Sequence, residues 1–405
     1  MNEKATPFPF PDSGLLEFPQ QWAELRGECP VARVELPHGA HAWLATGYDE
    51  VRKVLVDPRF SRARAAEHEN RRLTPAVILN SSLIGLDPPD HTRLRSLASH
   101  AFTARRVERL RPRVVETITA LLDSFERREK PADLMEHVLW PLPATLIGEM
   151  MGVHPEDNQR FIAWSSMALA GPERLETATE GYENLKAFFG ELIAEKRKSP
   201  GDDLLSALIE ATDEQGRLTD EELVALSVLL LVAGHESTTT VFGTFIVVLT
   251  QQRPEQWQHL LEHPEDITRT VEELLRTTHR TKVGARCPRV TTEDVTLGGV
   301  RIAAGEAVIP APDAANRDPA VFAEDPERID FARAENPHFA LGAGTHFCIG
   351  AALARMEIQE GLRLMLNGCP RLRVAVPMED LRLTPGTPMR VLETLPVTWY
   401  VSRAA

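Results

Sequence analysis

From about His91 to residue 280, apolar positions recur at three- and four-residue spacings with breaks at Pro and Gly, which predicts an almost wholly helical stretch. The best-marked helix begins at Thr219. There the run Thr219-Asp220-Glu221-Glu222 sets a hydroxyl at the N-cap and a carboxylate three residues on, a capping box. The pattern continues to about Gln251, a helix about 48 Å long at roughly 1.5 Å per residue. Its first half, LVALSVLLLVAG, is apolar nearly all round, so the helix belongs in the interior. Ahead of this region, Ala32–Leu36 and Ala42–Thr46 read as strands, a helix follows from about Tyr48 to Val56, and residues 62–86 read as a long loop. After residue 285 the pattern turns to short strands, Pro288–Thr292, Val295–Leu297 and Val300–Ile302, with Gly298-Gly299 closing a hairpin between the last two. A further helix ends near Asn367, and the C-terminal part is again strand-like. The predicted fold class is mainly α with small β-sheets.

Composition narrows the class of function. The 405 residues are 43% hydrophobic and 26% charged, ordinary for a globular protein, and no linker, repeat or low-complexity segment divides them, so one large domain over 1–405 is expected. The first residues, MNEKATPFPFPDSG, lack the apolar core of a signal peptide, and no run reaches the ~18 apolar residues of a membrane span. The four cysteines are scattered without zinc-site spacing, which fits a reducing cytoplasm and no membrane. A net charge of -14 argues against nucleic-acid binding. One stretch runs the other way: seven arginines between Arg93 and Arg113 face the single acid Glu108. It is read as a solvated helix face or, more sharply, as a docking patch for an acidic partner.

The stretch FALGAGTHFCIG, Phe339 to Gly350, holds Cys348 at the start of a helical run beginning at Ile349. A helix N-terminus favours an anion and lowers a thiol's pKa. Gly342, Gly344 and Gly350 remove side chains, so backbone can lie against a flat ligand, and His346 can donate to an anionic group at its edge. That is how an axial thiolate for haem iron would be built. A dinucleotide loop is excluded because Phe347 takes the third glycine position, and a zinc site lacks further ligands nearby. A cysteine nucleophile or an inert core cysteine stays open on these residues alone.

FALGAGTHFCIGAALAR resembles the haem-binding signature of the cytochrome P-450 superfamily of haem-thiolate monooxygenases in its soluble bacterial form, and further stretches agree in order over nearly the whole chain. Glu273 and Arg276 resemble the family's ExxR pair, implying a buried structural pair with Arg328 as a candidate third member. DPPDHTRLR resembles the segment that gives a His and an Arg to the haem propionates; here His91 and Arg95 stand four apart on one helix face. Arg289 matches another propionate-binding arginine. Two positions depart from the family pattern: Leu341 stands where Phe is usual, and Ser237 where Thr is usual.

Ser237 lies in VAGHESTTT, a polar interruption of the apolar helix. The zinc-protease pattern fails because residue 239 is Thr, and hydrogen-bonded polar residues in a core helix are the plain alternative. Beside the cysteine loop, the functional reading gains. Ala233 and Gly234 are small enough for a ligand to sit against them. The Ser237 hydroxyl can bond the Ala233 carbonyl and open the helix locally, and Glu236 with that hydroxyl organises a general-acid relay. Thr238 is the competing hydroxyl donor.

The resemblance implies the cytochrome P-450 fold, with the long central helix over haem b, Cys348 as iron ligand, and electrons from NAD(P)H through ferredoxin and ferredoxin reductase. It implies oxidation, by hydroxylation or epoxidation, of a small organic molecule, with secondary metabolism as the expected setting. The pocket is expected at residues 62–86, including Val77, Ile78 and Leu79, at the turn near Met167 to Ala170, at Leu229, Val232 and Ala233, at Lys282–Ala285 and at the tip near Val391. An oxidative-coupling haem enzyme and a non-catalytic haem sensor are the alternatives.

Overall fold

In the computed structural model the described residues are all except 1–4, 12–13, 38, 68–81, 100–101, 171–173, 216–217, 283–286, 323–324, 388 and 401–405. They form two compact units, each drawn from two separate pieces of chain: residues 1–92 with 272–348, and 93–271 with 349–405.

The first unit carries the larger sheet. Its six strands run in the order Thr6–Pro7, Val31–Glu35, His41–Ala45, Ala307–Pro310, Arg289–Thr291, Phe60–Ser61. Val31–Glu35 and His41–Ala45 pair antiparallel with Val31 opposite Ala45, and His41–Ala45 runs parallel to Ala307–Pro310 with Trp43 opposite Val308. All four residues of Ala307–Pro310 are buried. A strand covered on both faces shows no polar alternation, which is why the pattern along the chain does not mark it. The hairpin Val295–Leu297/Val300–Ile302 forms as expected, with Gly298 and Gly299 at positive φ in the turn. The helix Tyr48–Val56 has the predicted bounds: Asp49 and Glu50 occupy its first turn, and Val51, Val54 and Leu55 turn one face inward. The expected long loop over 62–86 instead opens with a short helix, Arg62–Glu67.

The second unit is helical, with one three-stranded sheet made by Arg373–Val374, Pro396–Thr398 and Ala132–Asp133. Its axis is the helix Asp220–Val247, continued by a π-helical turn at Val248–Gln252. The capping box forms in full. The Thr219 hydroxyl accepts from the Glu222 amide at 3.1 Å, and the Glu222 carboxylate accepts from the Thr219 amide at 2.9 Å. Among the described residues, Asp220–Gln252 is the one helical stretch long and apolar enough to cross a membrane; 72% of its most apolar window is buried within the protein.

Candidate functional site

The cysteine loop is shaped by its own backbone. The Cys348 amide donates to the Leu341 carbonyl at 2.8 Å, the Gly342 amide to Phe339 at 2.8 Å, and the Phe347 amide to Gly344 at 3.0 Å. These bonds fold 339–348 into two tight turns that need positive φ at Gly342 (79°) and Gly344 (67°). At Gly344 a Cβ would also stand 2.7 Å from the Leu55 carbonyl. Phe339 fixes the entry to the loop: its ring stacks on Tyr48 at 4.4 Å, and its amide donates to the Asn316 side chain at 2.7 Å. Leu341, which stands where Phe is usual in the family pattern, is buried. The helix after the cysteine spans Ala351–Gly368 with Gly350 as its N-cap, so Cys348 stands two residues before the cap rather than on it.

Of the propionate candidates, His91 and His346 come together, ring centroids 4.3 Å apart, with His91 buried. Arg289 is buried in its strand, and Arg95 is half-buried one turn after His91 on the helix Asp90–Ser99. Two imidazoles and buried arginine form a donor set suited to carboxylates. A Cβ on Gly350 would meet no protein atom within 4 Å, so packing within the protein does not explain glycine there, whereas a flat ligand lying against the backbone does. These residues fit haem.

Glu273 and Arg276 form the predicted buried pair, 2.6 Å and 2.9 Å between their charged atoms. Arg276 also donates to the carbonyls of Asn316, Pro326 and Arg328. The third side chain is Arg333, 3.3 Å from Glu273, and not Arg328, which joins only through its backbone. Both arginines lie in an irregular stretch without periodicity, and nothing local chooses between them.

On the long helix, Ala233 is exposed and Gly234 and Ser237 are half-buried, while Leu229, Val232, His235, Glu236 and Thr238 are buried. Positions 233, 234 and 237 share one face, so an accessible strip breaks the otherwise buried run from Leu226 to Val247. The Ser237 hydroxyl donates to the Ala233 carbonyl at 2.7 Å as expected. The expected local opening is absent: the helix is continuous, and Thr238, Thr239 and Thr240 donate in the same way to Gly234, His235 and Glu236. A carbonyl has two lone pairs, so a hydroxyl can add to it without displacing the helical bond.

Four contacts around this stretch have no local signal in the sequence. His235 Nε2 lies 3.3 Å from the Trp140 carbonyl and Nδ1 3.2 Å from the Ser165 hydroxyl. Burial pushes the imidazole down to about 4, so it is neutral at working pH, with Nε2–H donating to Trp140 and Nδ1 accepting from Ser165. Thr239 donates to the Leu139 carbonyl at 3.0 Å. Pro143 has no N–H to offer Leu139 four residues back, which leaves that carbonyl for the threonine. Finally, the Thr387 hydroxyl lies 3.1 Å from Glu236 Oε1.

Other expected positions fare unevenly. Val77, Ile78 and Leu79, with most of 282–285, lie outside the described residues. Leu229, Val232 and Val391 are buried at 5%, 3% and 0% exposure and are indistinguishable from core. The arginine run is less basic than its sequence. Arg93 pairs with Glu222, Arg111 with Glu108 and Glu360, and Arg113 with Glu116 and Glu149. The Arg93 guanidinium holds the Glu222 carboxyl below the usual carboxylate range. Arg105, Arg106 and Arg109 are exposed on the helix Ala104–Glu126.

Comparison with known proteins is consistent with this arrangement. The family model described as Cytochrome P450 matches residues 248–397. Nocardicin C N-oxygenase of Nocardia uniformis subsp. tsuyamanensis is 44% identical over 394 residues, 97% of this chain and 98% of its own. The mycinamicin IV hydroxylase/epoxidase of Micromonospora griseorubida is 43% identical over 393 residues, with the same coverage. Among solved structures, the LnmA cytochrome P450 hydroxylase from the leinamycin pathway of Streptomyces atroolivaceus superposes with a TM-score of 0.90 at 39% identity. That match covers 98% of this chain and 100% of that one.

Proposed function

The chain belongs to the cytochrome P450 family, and from that premise we propose that Cys348 is its haem ligand and that Glu236 and Ser237 form its proton relay. It is a haem-thiolate monooxygenase: haem b, once bound, would supply the activation of dioxygen, with electrons from NAD(P)H through redox partners, for placing one oxygen atom on a small organic substrate. In our reading that substrate is a secondary metabolite, in keeping with the named activities of the two relatives, and the enzyme works in the cytoplasm.

The roles follow from what each side chain can do. Cys348 presents its thiolate from a loop held by three backbone bonds. His91, His346, Arg289 and Arg95 offer donors to the propionates. Ala233 and Gly234 leave room for ligand beside the accessible strip, and Ser237 at its edge can turn its hydroxyl hydrogen from Ala233 to a proton acceptor and take a replacement proton from the Glu236 carboxylic acid through water, which leaves the carboxylate to be reprotonated from solvent. The observation that carries the relay is this placement: Ser237 lies on the strip, whereas Thr238, about 100° further round the helix, is buried at 6%.

Ser237→Ala should therefore keep haem and the thiolate spectrum yet lower product formed per NAD(P)H by about tenfold or more, the missing equivalents appearing as hydrogen peroxide. Ser237→Thr should preserve coupling and Thr238→Ala should resemble the parent. Uncoupling confined to Thr238→Ala would move the hydroxyl donor one residue on.

The electron donor is read as an acidic ferredoxin, served by its reductase. Arg105, Arg106 and Arg109 supply exposed positive charge despite the net -14, because local rather than total charge governs encounter. Reversing Arg105 and Arg109 to Glu should slow reduction by ferredoxin by about tenfold at low salt and flatten its salt dependence, with dithionite reduction unaffected. Equal rates for variant and parent at low salt would reduce the patch to a solvated face.

A further inference from the structure

We propose that Thr387 is a positioning residue for Glu236: its hydroxyl, presented from the tip of the C-terminal hairpin, donates to the carboxyl and sets its orientation. The inference rests on Glu236 belonging to the proton relay, and it adds a residue from a distant part of the chain to that machinery.

The Thr387 hydroxyl both accepts and donates here. The Thr387 oxygen accepts the Met389 amide at 3.2 Å and lies 3.1 Å from Glu236 Oε1. A hydroxyl has one hydrogen. Its oxygen accepts from the amide through one lone pair and its hydrogen points at the carboxyl, an ordered series from Met389 N–H through Thr387 O–H to Glu236.

The tip is built to hold this pose. Thr384-Pro385-Gly386-Thr387 is a turn with Pro at its second position and Gly at its third, where φ is +67°. Behind it Thr384 donates to the Val391 carbonyl at 2.7 Å, Leu383 bridges Leu392, and the Glu393 amide donates to Arg382 at 2.9 Å. Thr387 is thus carried by a short, tied-back turn rather than a free loop.

A buried carboxyl on a helix can swing about its own torsions, and Glu236, 4% exposed, stands directly before Ser237. Its other chain neighbour is no counter-charge. His235 is neutral, and both its ring nitrogens are engaged with Trp140 and Ser165. The Thr387 hydroxyl gives that carboxyl a donor from outside its own helix, at 3.1 Å from Oε1.

The test reads the carboxyl itself. On the oxidised holoenzyme, the infrared difference between parent and Glu236→Gln isolates the Glu236 band. Thr387→Val, which removes the hydroxyl and keeps the shape, should shift that band; Thr387→Ser should restore it. A band in Thr387→Val identical to the parent's overturns the proposal whatever the role of Glu236. Hydrogen peroxide formed per NAD(P)H, with dioxygen as the only acceptor, separates the two ideas. Glu236→Gln should raise it, and Thr387→Val should raise it less. A parent-like yield in Glu236→Gln would sink the relay reading and leave the band to decide the contact. A shifted band with parent-like peroxide in Thr387→Val alone would make the threonine structural only, and would also overturn the proposal.

Discussion

Cys348→Ala should abolish the strongly red-shifted Soret band of the reduced carbon monoxide adduct, the signature of thiolate ligation, while circular dichroism shows the helical fold retained. The loop should survive the change because its shape comes from backbone bonds and from Gly342 and Gly344, and the removed Sγ is not among those bonds. The other cysteines are poorly suited to replace it. Cys369 is buried at 1%, 3.7 Å from Glu126, and desolvation pushes its thiol up to about 12. A metal ligand must be the thiolate, which that environment opposes. The Cys29 thiol donates to the Val31 carbonyl at 3.0 Å. Cys287, half-buried two residues before Arg289, is the one remaining candidate. A thiolate spectrum that persists in Cys348→Ala would overturn the ligand assignment and direct attention there; its loss in Cys287→Ala instead would confirm the exchange.

What the sequence made legible is local. The capping box at Thr219, the helix Tyr48–Val56 and the hairpin at Gly298-Gly299 each rest on residues within one or two turns of one another, and each forms with nearly the expected bounds. The cysteine loop is legible for the same reason, since its glycines, His346 and Cys348 are contiguous. Contacts decided by tertiary packing leave no such trace. Thr387 and Glu236 are 151 residues apart, and His235 and Ser165 are 70 apart. The arginine run misleads for the same reason: its count of one acid omits Glu149, Glu222 and Glu360, which only folding brings to Arg113, Arg93 and Arg111. Arg333 was hidden because its place beside Glu273 depends on an irregular segment held by backbone carbonyls, not by any repeating pattern.

Glu273→Ala should yield little or no folded holoprotein. The carboxylate accepts four hydrogen bonds, two from Arg276, one from the Asp330 amide at 2.8 Å and one from the Asn336 side chain at 3.0 Å, and Arg333 stands 3.3 Å away as an ion-pair partner. Arg276 is completely buried, and Phe322 lies under its guanidinium at 5.0 Å. Removing Glu273 strands that charge in a place water does not reach, which costs about 3–5 kcal/mol. Total stabilities run to only about 5–15 kcal/mol, so one such loss takes away much of the margin. The surviving bonds from Arg276 to three backbone carbonyls soften the loss but do not neutralise the charge. Glu272→Ala is the matched control. It removes the adjacent carboxylate, which is 26% exposed and 3.2 Å from His338, and it should cost less than Glu273→Ala because it strands no buried guanidinium. Glu273→Gln should fall between, keeping shape and part of the acceptor set while losing the charge. Soluble yield, haem content and urea midpoint order the three variants. Equal midpoints for Glu272→Ala and Glu273→Ala would show that the pair contributes nothing beyond an ordinary surface bridge, whatever its burial.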